Sequence, residues 1–404
     1  MAGVRVLEVA QFTFVPSAGA VLADWGADVI KVEHAETGDA QRGLSRLMGM
    51  QVGKGGSFAP LMEHANRGKR SLGLALDKPG ALNVLHGLIR SSDVFLTNFL
   101  PSARSRLAID LDDVREVNPD IIYVRGSGFG NRGPDRDKGG YDSTAFWARG
   151  GSALAATPVD YNDLCTQPAA AYGDSLGGMT IAGGIAAALL ARERTGETSV
   201  VDVSLVGVGA WAMALSVDFA LMFGGPLPRP AKAKSAPTNP LVGNYRTADD
   251  RWIVLTMLQP GRYWAEFCRH AGRDDLIDDA RFDSTEKLMT NTAEAAELVQ
   301  EILASRTLAE WTDRFAGMEG QWAVAQDPWE VGNDEALRAN GLIASVNDAD
   351  GQSHELLANP VQFDESPPEL TRGPQFAEHT DEILRELGIA DEQLIELKIA
   401  GAVT

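Results

Sequence analysis

Cysteine is nearly missing from this 404-residue chain: Cys165 and Cys268 are the only two. So few, and so far apart, they exclude a disulfide framework and a zinc-knuckle pattern, and they fit a reducing cytoplasm. The six histidines form no H-x-x-x-H pair, which leaves no candidate metal site. Cationic charge is also scarce. Against 56 Asp+Glu there are 36 Lys+Arg, a net charge of −20, which argues against nucleic acid and anionic membrane as partners. Long hydrophobic runs are lacking too: Ser175–Ala191 and Val203–Val217 are the longest uncharged stretches. Both fall short of a membrane span of about 18 residues or more and are expected to be buried helices. The first residues, Met1-Ala-Gly-Val-Arg5, show no charged-then-apolar signal layout, so export is not expected.

Glycine is the residue in excess, at 42, which points to tight turns or a backbone that approaches a ligand closely. Hydrophobic residues at 44% and charged residues at 23% describe an ordinary globular protein, long enough for two or three domains. The charge is uneven. Residues 1–106 carry 12 Lys+Arg against 9 Asp+Glu, so the strong acidity belongs to the rest of the chain, and a locally basic third is suited to an anionic ligand.

Strand and helix signals alternate through the first part. Val4–Ala10, Asp28–Glu33, Asp93–Asn98, Ile121–Arg125 and Ser199–Val203 read as strands; Pro16–Trp25, Asp77–Arg90, Leu111–Val117 and Leu205–Phe223 read as helices. That repeat predicts an α/β fold with a doubly wound parallel sheet over residues 1–223. The Pro-rich passage at 224–240 reads as a linker, residues 241–358 as a smaller α+β domain, and 359–404 as a C-terminal return to the large domain.

A dinucleotide fingerprint would follow the first strand, but Gln11-Phe-Thr-Phe-Val-Pro16 stands there instead. Asn66-Arg-Gly-Lys-Arg70 is a compact basic loop, with Arg42 and Arg46 before it and Arg104 and Arg106 after it. Such clusters are either a solvated face or, converging beyond the strand ends of one sheet, a phosphate site. Gly173-Asp-Ser-Leu-Gly-Gly178 opens a long apolar helix. Asp174 reads either as the N-cap, with its pKa lowered by amide hydrogens, or as a carboxylate nucleophile among small neighbours.

Several segments together resemble the class III CoA-transferases, the CaiB/BaiF family: Leu22-Ala-Asp-Trp-Gly-Ala-Asp-Val-Ile-Lys-Val-Glu33, Gly38-Asp-Ala-Gln-Arg42, Asn66-Arg-Gly-Lys-Arg-Ser-Leu72, Asp93-Val-Phe-Leu-Thr-Asn-Phe99, Gly128-Phe-Gly-Asn-Arg-Gly-Pro134, Gly140-Tyr-Asp142, Gly173-Asp174 and Glu378-His-Thr-Asp-Glu-Ile-Leu384. The resemblance implies a Rossmann-like large domain made from both termini, a small domain, and an interlocked homodimer. It further implies transfer of coenzyme A from an acyl-CoA to a carboxylic acid, with no tightly bound cofactor. Asp174 matches the family's catalytic aspartate, which forms an aspartyl anhydride and then an aspartyl-CoA thioester. Lys69, Asn98, Phe99, Arg106 and Lys138 match positions that contact CoA, and Arg42 joins them as a candidate phosphate ligand. Two rivals remain at this level: an α-methylacyl-CoA racemase of the same fold, and a non-catalytic CoA- or nucleotide-binding module. The racemase branch carries histidine where this chain has Tyr141, and a phenol is a poor base for an α-proton.

Overall fold

The computed structural model describes residues 1–44, 46–47, 50–51, 58–230 and 238–404, which divide into two compact units. The first unit holds Met1–Pro230 and Glu335–Thr404. At its centre lies a six-stranded parallel sheet: β1 (Arg5–Val9), β2 (Asp28–Glu33), β3 (Arg70–Gly73), β4 (Val94–Thr97), β5 (Ile122–Ser127) and β6 (Val200–Ser204). Their order is β3-β2-β1-β4-β5-β6, the doubly wound order in which the connections reverse between β1 and β4. Ligands in such sheets sit beyond the carboxyl ends of the strands at that reversal.

The alternation of side chains along each strand feeds two cores. Leu7 and Val9 of β1 point to one face, together with Ile30, Leu72 and Phe95. Helix α1, spanning Ala81–Arg90, covers it because Ala81, Val84, Leu85, Leu88 and Ile89 recur at helical spacing along one side. Ile383, Leu384, Leu394 and Leu397 from the C-terminal helices join this same core. Val6, Val29, Val94, Leu96 and Val124 point to the other face and meet helix α2 (Phe14–Asp24) and helix α3 (Tyr172–Thr195). α2 and α3 lie very close: a Cβ on Gly178 would stand 2.0 Å from Ser17 Oγ and 3.0 Å from the Ala18 backbone nitrogen.

Between α2 and the sheet runs a buried ionic seam. Glu8, Lys31, Lys69 and Asp39 have side chains shut off from solvent, with Lys31 Nζ 3.2 Å from Glu8 and 2.8 Å from Asp39. Burying such charges is tolerable only because each is paired.

The second unit, Ala231–Asp334, has a three-stranded antiparallel sheet of Val242–Arg246, Trp252–Thr256 and Trp322–Val324. Helices Pro260–Ala271, Thr292–Leu303 and Leu308–Phe315 supply its aromatic core, in which Trp264, Phe267, Trp311 and Phe315 are buried. The hairpin of Val242–Arg246 and Trp252–Thr256 turns at Asp249-Asp250, where Asp250 adopts a left-handed φ of 61°.

The expected boundary at residue 358 is displaced. Residues 335–358, with the hairpin Ile343–Asn347 and Ser353–Leu357, cluster with the first unit, where His354 stacks on Phe58 at 3.9 Å. Of the linker read over 224–240, residues 231–237 lie outside the described residues. The expectation of two buried apolar helices also needs correction. Leu205–Phe223 breaks at Met213 into two helices bent by 75°, and the second, Ala214–Phe223, has no buried residue. Trp211 is 81% exposed, as are Leu221, Met222 and Phe223 for the most part. Apolar side chains all round a helix give no periodicity from which to read the covered face.

Candidate active site

Two segments, each a loop running into a helix, lead off the carboxyl ends of β1 and β4, and both wall a cavity of about 350 Å3. Gln11, Phe12 and Phe14 come from the first; Asn98, Phe99, Leu100, Pro101 and Arg104 come from the second. Gly126 and Gly128 at the end of β5, together with Gly139, Gly140 and Tyr141, leave space for a substrate, and Asp174 completes the lining. A second cavity of about 450 Å3 shares Gln11 and Phe99 with it and is lined further by His34, Asp77, Ala103 and Arg106.

The loop after β1 is held by side chains from elsewhere. Asn98 pairs with both backbone groups of Gln11, accepting its N–H at 3.1 Å and donating to its carbonyl at 2.6 Å. Asp39 accepts the N–H of Phe12 at 3.1 Å, which steadies Phe12 in a left-handed φ of 64°. The Phe12 ring meets Tyr141 edge to face at 5.6 Å, forming an aromatic wall of the cavity.

Asp174 is the third residue of α3, so it does not cap the helix. The cap position belongs to Ala171, in a left-handed φ of 57° with no side-chain hydrogen bond. The cap is supplied from a distance: Asp142, buried, accepts the N–H of Gly173 at 3.0 Å and a hydrogen bond from Gln167 at 3.1 Å. Only glycine fits at 173, since a Cβ would stand 2.2 Å from the Phe146 ring and 2.6 Å from Asp142 Oδ1. This arrangement reverses the expected electrostatics. Burial pushes the Asp174 carboxyl up to about 7, and the neighbouring Asp142 charge adds in the same direction. A carboxyl near neutrality is a stronger base and a better nucleophile than an ordinary aspartate, at the cost of being part-protonated at pH 7.

The structure sorts the expected CoA ligands into two groups. Asn98 and Phe99 line the first cavity, Phe99 and Arg106 line the second, and Lys138 stands exposed next to Gly139, paired with Asp135 at 2.6 Å. Lys69 and Arg42 belong elsewhere. Lys69 Nζ is sealed from solvent and donates to both Glu8 oxygens, at 2.9 and 2.7 Å, and to the Pro16 carbonyl at 2.8 Å. Arg42 forks onto the buried Glu33 at 2.6 and 2.7 Å. Burial opposes ionisation of Glu33, but Arg42 and Lys31 outweigh it and hold the carboxyl at about 2. Both cations therefore neutralise carboxylates inside the fold, and neither lines either cavity.

Asp142 and Tyr141 were legible only as parts of the Gly140-Tyr-Asp142 match, and His64 carried no sequence signal at all. Its Nε2 lies 2.9 Å from Ser175 Oγ, next to the candidate nucleophile.

A doubly wound sheet with a raised carboxyl at its switch-point cavity offers a group able to act as nucleophile or as base. The sequence profile of CoA-transferase family III matches residues 1–380, and the chain belongs to that family. It is 28% identical to the (R)-2-hydroxy-4-methylpentanoate CoA-transferase of Clostridioides difficile, across 99% of this chain and 98% of that one. It is 30% identical to the cinnamoyl-CoA:phenyllactate CoA-transferase of Clostridium sporogenes, across 98% and 95%. Among solved structures, Rv3272 of Mycobacterium tuberculosis matches with a TM-score of 0.76 at 28% identity, covering 95% of this chain and 99% of that one. A CAIB/BAIF family protein from Brucella suis shares the fold with a TM-score of 0.80 at 24% identity, covering 96% and 98%.

Proposed function

We propose that this chain moves coenzyme A from an acyl-CoA to a free apolar carboxylic acid, with Asp174 as covalent nucleophile. The observation that carries the reading is the Asp174 carboxyl, raised to about 7 and lining a glycine-walled cavity at the sheet's switch point. A carboxylate oxygen of Asp174 attacks the thioester carbonyl carbon; the C–S bond breaks, giving a mixed anhydride and CoA thiolate. The thiolate then attacks the aspartyl carbonyl and expels the donor acid, leaving an aspartyl-CoA thioester. The acceptor carboxylate attacks that thioester, and the released thiolate returns to the acceptor's own carbonyl. One thioester is exchanged for another, and Asp174 is regenerated as a carboxylate.

The Phe12–Tyr141 wall, with Phe14, Phe99 and Leu205, supports an acid bearing a branched aliphatic or aryl group. The names of the two clostridial relatives, one giving (R)-2-hydroxy-4-methylpentanoate and the other cinnamoyl-CoA and phenyllactate, agree with that class. CoA is bound as substrate, its charged end directed to Arg106 in the neighbouring cavity and towards Lys138. A second copy of the chain covers the exposed apolar face of Trp211 and Ala214–Phe223, giving the interlocked homodimer, and the cytoplasm is the setting. The test is a panel of acyl-CoA donors and free acids, with new thioesters read by mass spectrometry. Turnover with no acceptor dependence, or deuterium entering the α-carbon of a 2-methylacyl-CoA without any acid present, would replace transfer by racemisation.

A further inference from the structure

Three side chains from separate segments surround the start of the helix at Asp174. Asp142 takes the Gly173 N–H. Ser17 Oγ, from α2, lies 3.2 Å from the Asp174 carbonyl and shares its single hydrogen with the nearer Phe14 carbonyl at 2.8 Å. On the other side stands His64, from helix Pro60–Asn66, with Nε2 2.9 Å from Ser175 Oγ. Ser175 in turn sends two hydrogen bonds to one acceptor: its N–H reaches the Ala171 carbonyl at 2.9 Å and its hydroxyl reaches the same oxygen at 2.8 Å. Ala171 is the residue in the left-handed conformation from which the helix starts. A non-glycine residue there costs on the order of 1 kcal/mol and persists only where its surroundings hold it.

We propose that His64 is a positioning residue for the nucleophile: through Ser175 it holds the strained turn at Ala171, and so fixes where Asp174 meets the thioester. The proposal rests on the reading of Asp174 as nucleophile. The hydroxyl of Ser175 has a single hydrogen, directed at Ala171, so the His64 ring donates from Nε2. Burial, reinforced by the Arg67 charge, holds the ring's pKa at about 4, so this donor is a neutral imidazole throughout the range in which Asp174 ionises. The ring therefore supplies geometry and no proton. A misplacement of about 1 Å at a reacting atom costs about a hundredfold in rate, which sets the scale of what the relay protects.

The experiment compares His64→Leu with His64→Gln, which keeps an N–H donor on a side chain of similar reach, using cinnamoyl-CoA and phenyllactate as probes. His64→Leu should lower kcat about 10- to 100-fold with KM for the acyl-CoA changed less than about threefold, and His64→Gln should recover most of the loss. Ser175→Ala, a much smaller change, should reproduce the defect and add little to it in the double variant. Ala171→Gly relieves the strain, so His64→Leu should cost less in that background. A reading that needs no substrate is amide exchange: exchange over Gly173–Leu176 should quicken about tenfold in His64→Leu while the central strands stay unchanged. Unchanged exchange there, equal loss in the Leu and Gln variants, or an undiminished loss in the Ala171→Gly background would overturn the proposal. Asp174→Asn assayed alongside separates the two ideas. If it keeps turnover, the nucleophile reading fails; if it is inactive while His64→Leu is normal, only the positioning role fails.

Discussion

Replacing Asp174 by Asn removes one oxygen's charge and almost no volume, so the perturbation isolates ionisation. The folded chain raises this carboxyl from its ordinary 3.8 to about 7, chiefly by burial. Between those two values the folded state holds a proton that the unfolded state has already released. Stability due to this group is therefore greatest below about pH 4, declines as pH rises, and reaches its full deficit above about pH 7. At about 1.4 kcal/mol per pH unit the interval corresponds to at most about 4 kcal/mol. Water reaching a carboxyl that lines an open cavity screens the charge and reduces the expected deficit to about 1–3 kcal/mol. Asp174→Asn should thus be more stable than the parent by that amount at pH 8.5 and nearly equal to it at pH 4.5. Urea unfolding at both pH values, at one fixed chain concentration, measures this. The same variant should lose transfer by several orders of magnitude, because an amide cannot attack a thioester. In the parent, kcat/KM should rise with pH to a plateau above about 7. A variant no more stable at pH 8.5 than at pH 4.5, relative to the parent, would refute the buried-carboxyl argument whatever the activity showed.

Two of the expected CoA ligands should part company: Arg106→Ala should weaken CoA binding by about 1–3 kcal/mol in calorimetry with the fold intact. Lys69→Met should instead destabilise the chain by about 3–5 kcal/mol, leaving Glu8 and its seam short of a cation. Gly178→Val should destabilise by about 1–3 kcal/mol or more, read as a lowered urea midpoint, since its side chain would drive α2 away from α3. Light scattering at nanomolar concentration should show a dimer with no folded monomer, as an interlocked pair cannot separate without unfolding.

The layout of the large sheet was readable because five of its six strands are short and largely apolar and the helix Ala81–Arg90 shows its spacing. Ala81, Val84, Leu85, Leu88 and Ile89 announce one buried side without any knowledge of the partner. Elements with little such pattern escaped. Pro60–Asn66 and Arg70–Gly73 flank the basic stretch Asn66–Arg70, which reads as a solvated face or a phosphate site, yet Arg67 and Lys69 are buried there. Leu205–Phe223 is apolar but for Ser216 and Asp218, so neither its 75° bend nor its exposed side could be read from periodicity.

The site divides along the same line, between what a residue type declares and what only distance in space can declare. Asp174 stood out because an acid among glycines at the start of an apolar helix is chemically conspicuous; its pKa did not, because the direction depends on who caps the helix. Sequence proximity assigned that role to Asp174 itself, and the lowered pKa followed. In the fold the role falls to Asp142, 31 residues away from Gly173 in sequence, whose carboxylate satisfies the amide and adds negative charge. The basic residues show the converse error. Counting charges over residues 1–106 suggested a surplus awaiting phosphates, but the count cannot tell a free cation from one facing a buried carboxylate. Arg42 faces Glu33, Arg67 faces Asp24 at 2.7 Å, and Lys69 faces Glu8. With those three matched, and Lys138 held by Asp135 outside both linings, Arg106 is the one expected cation that lines either cavity, and Arg136, which sequence reasoning did not single out, lines the other.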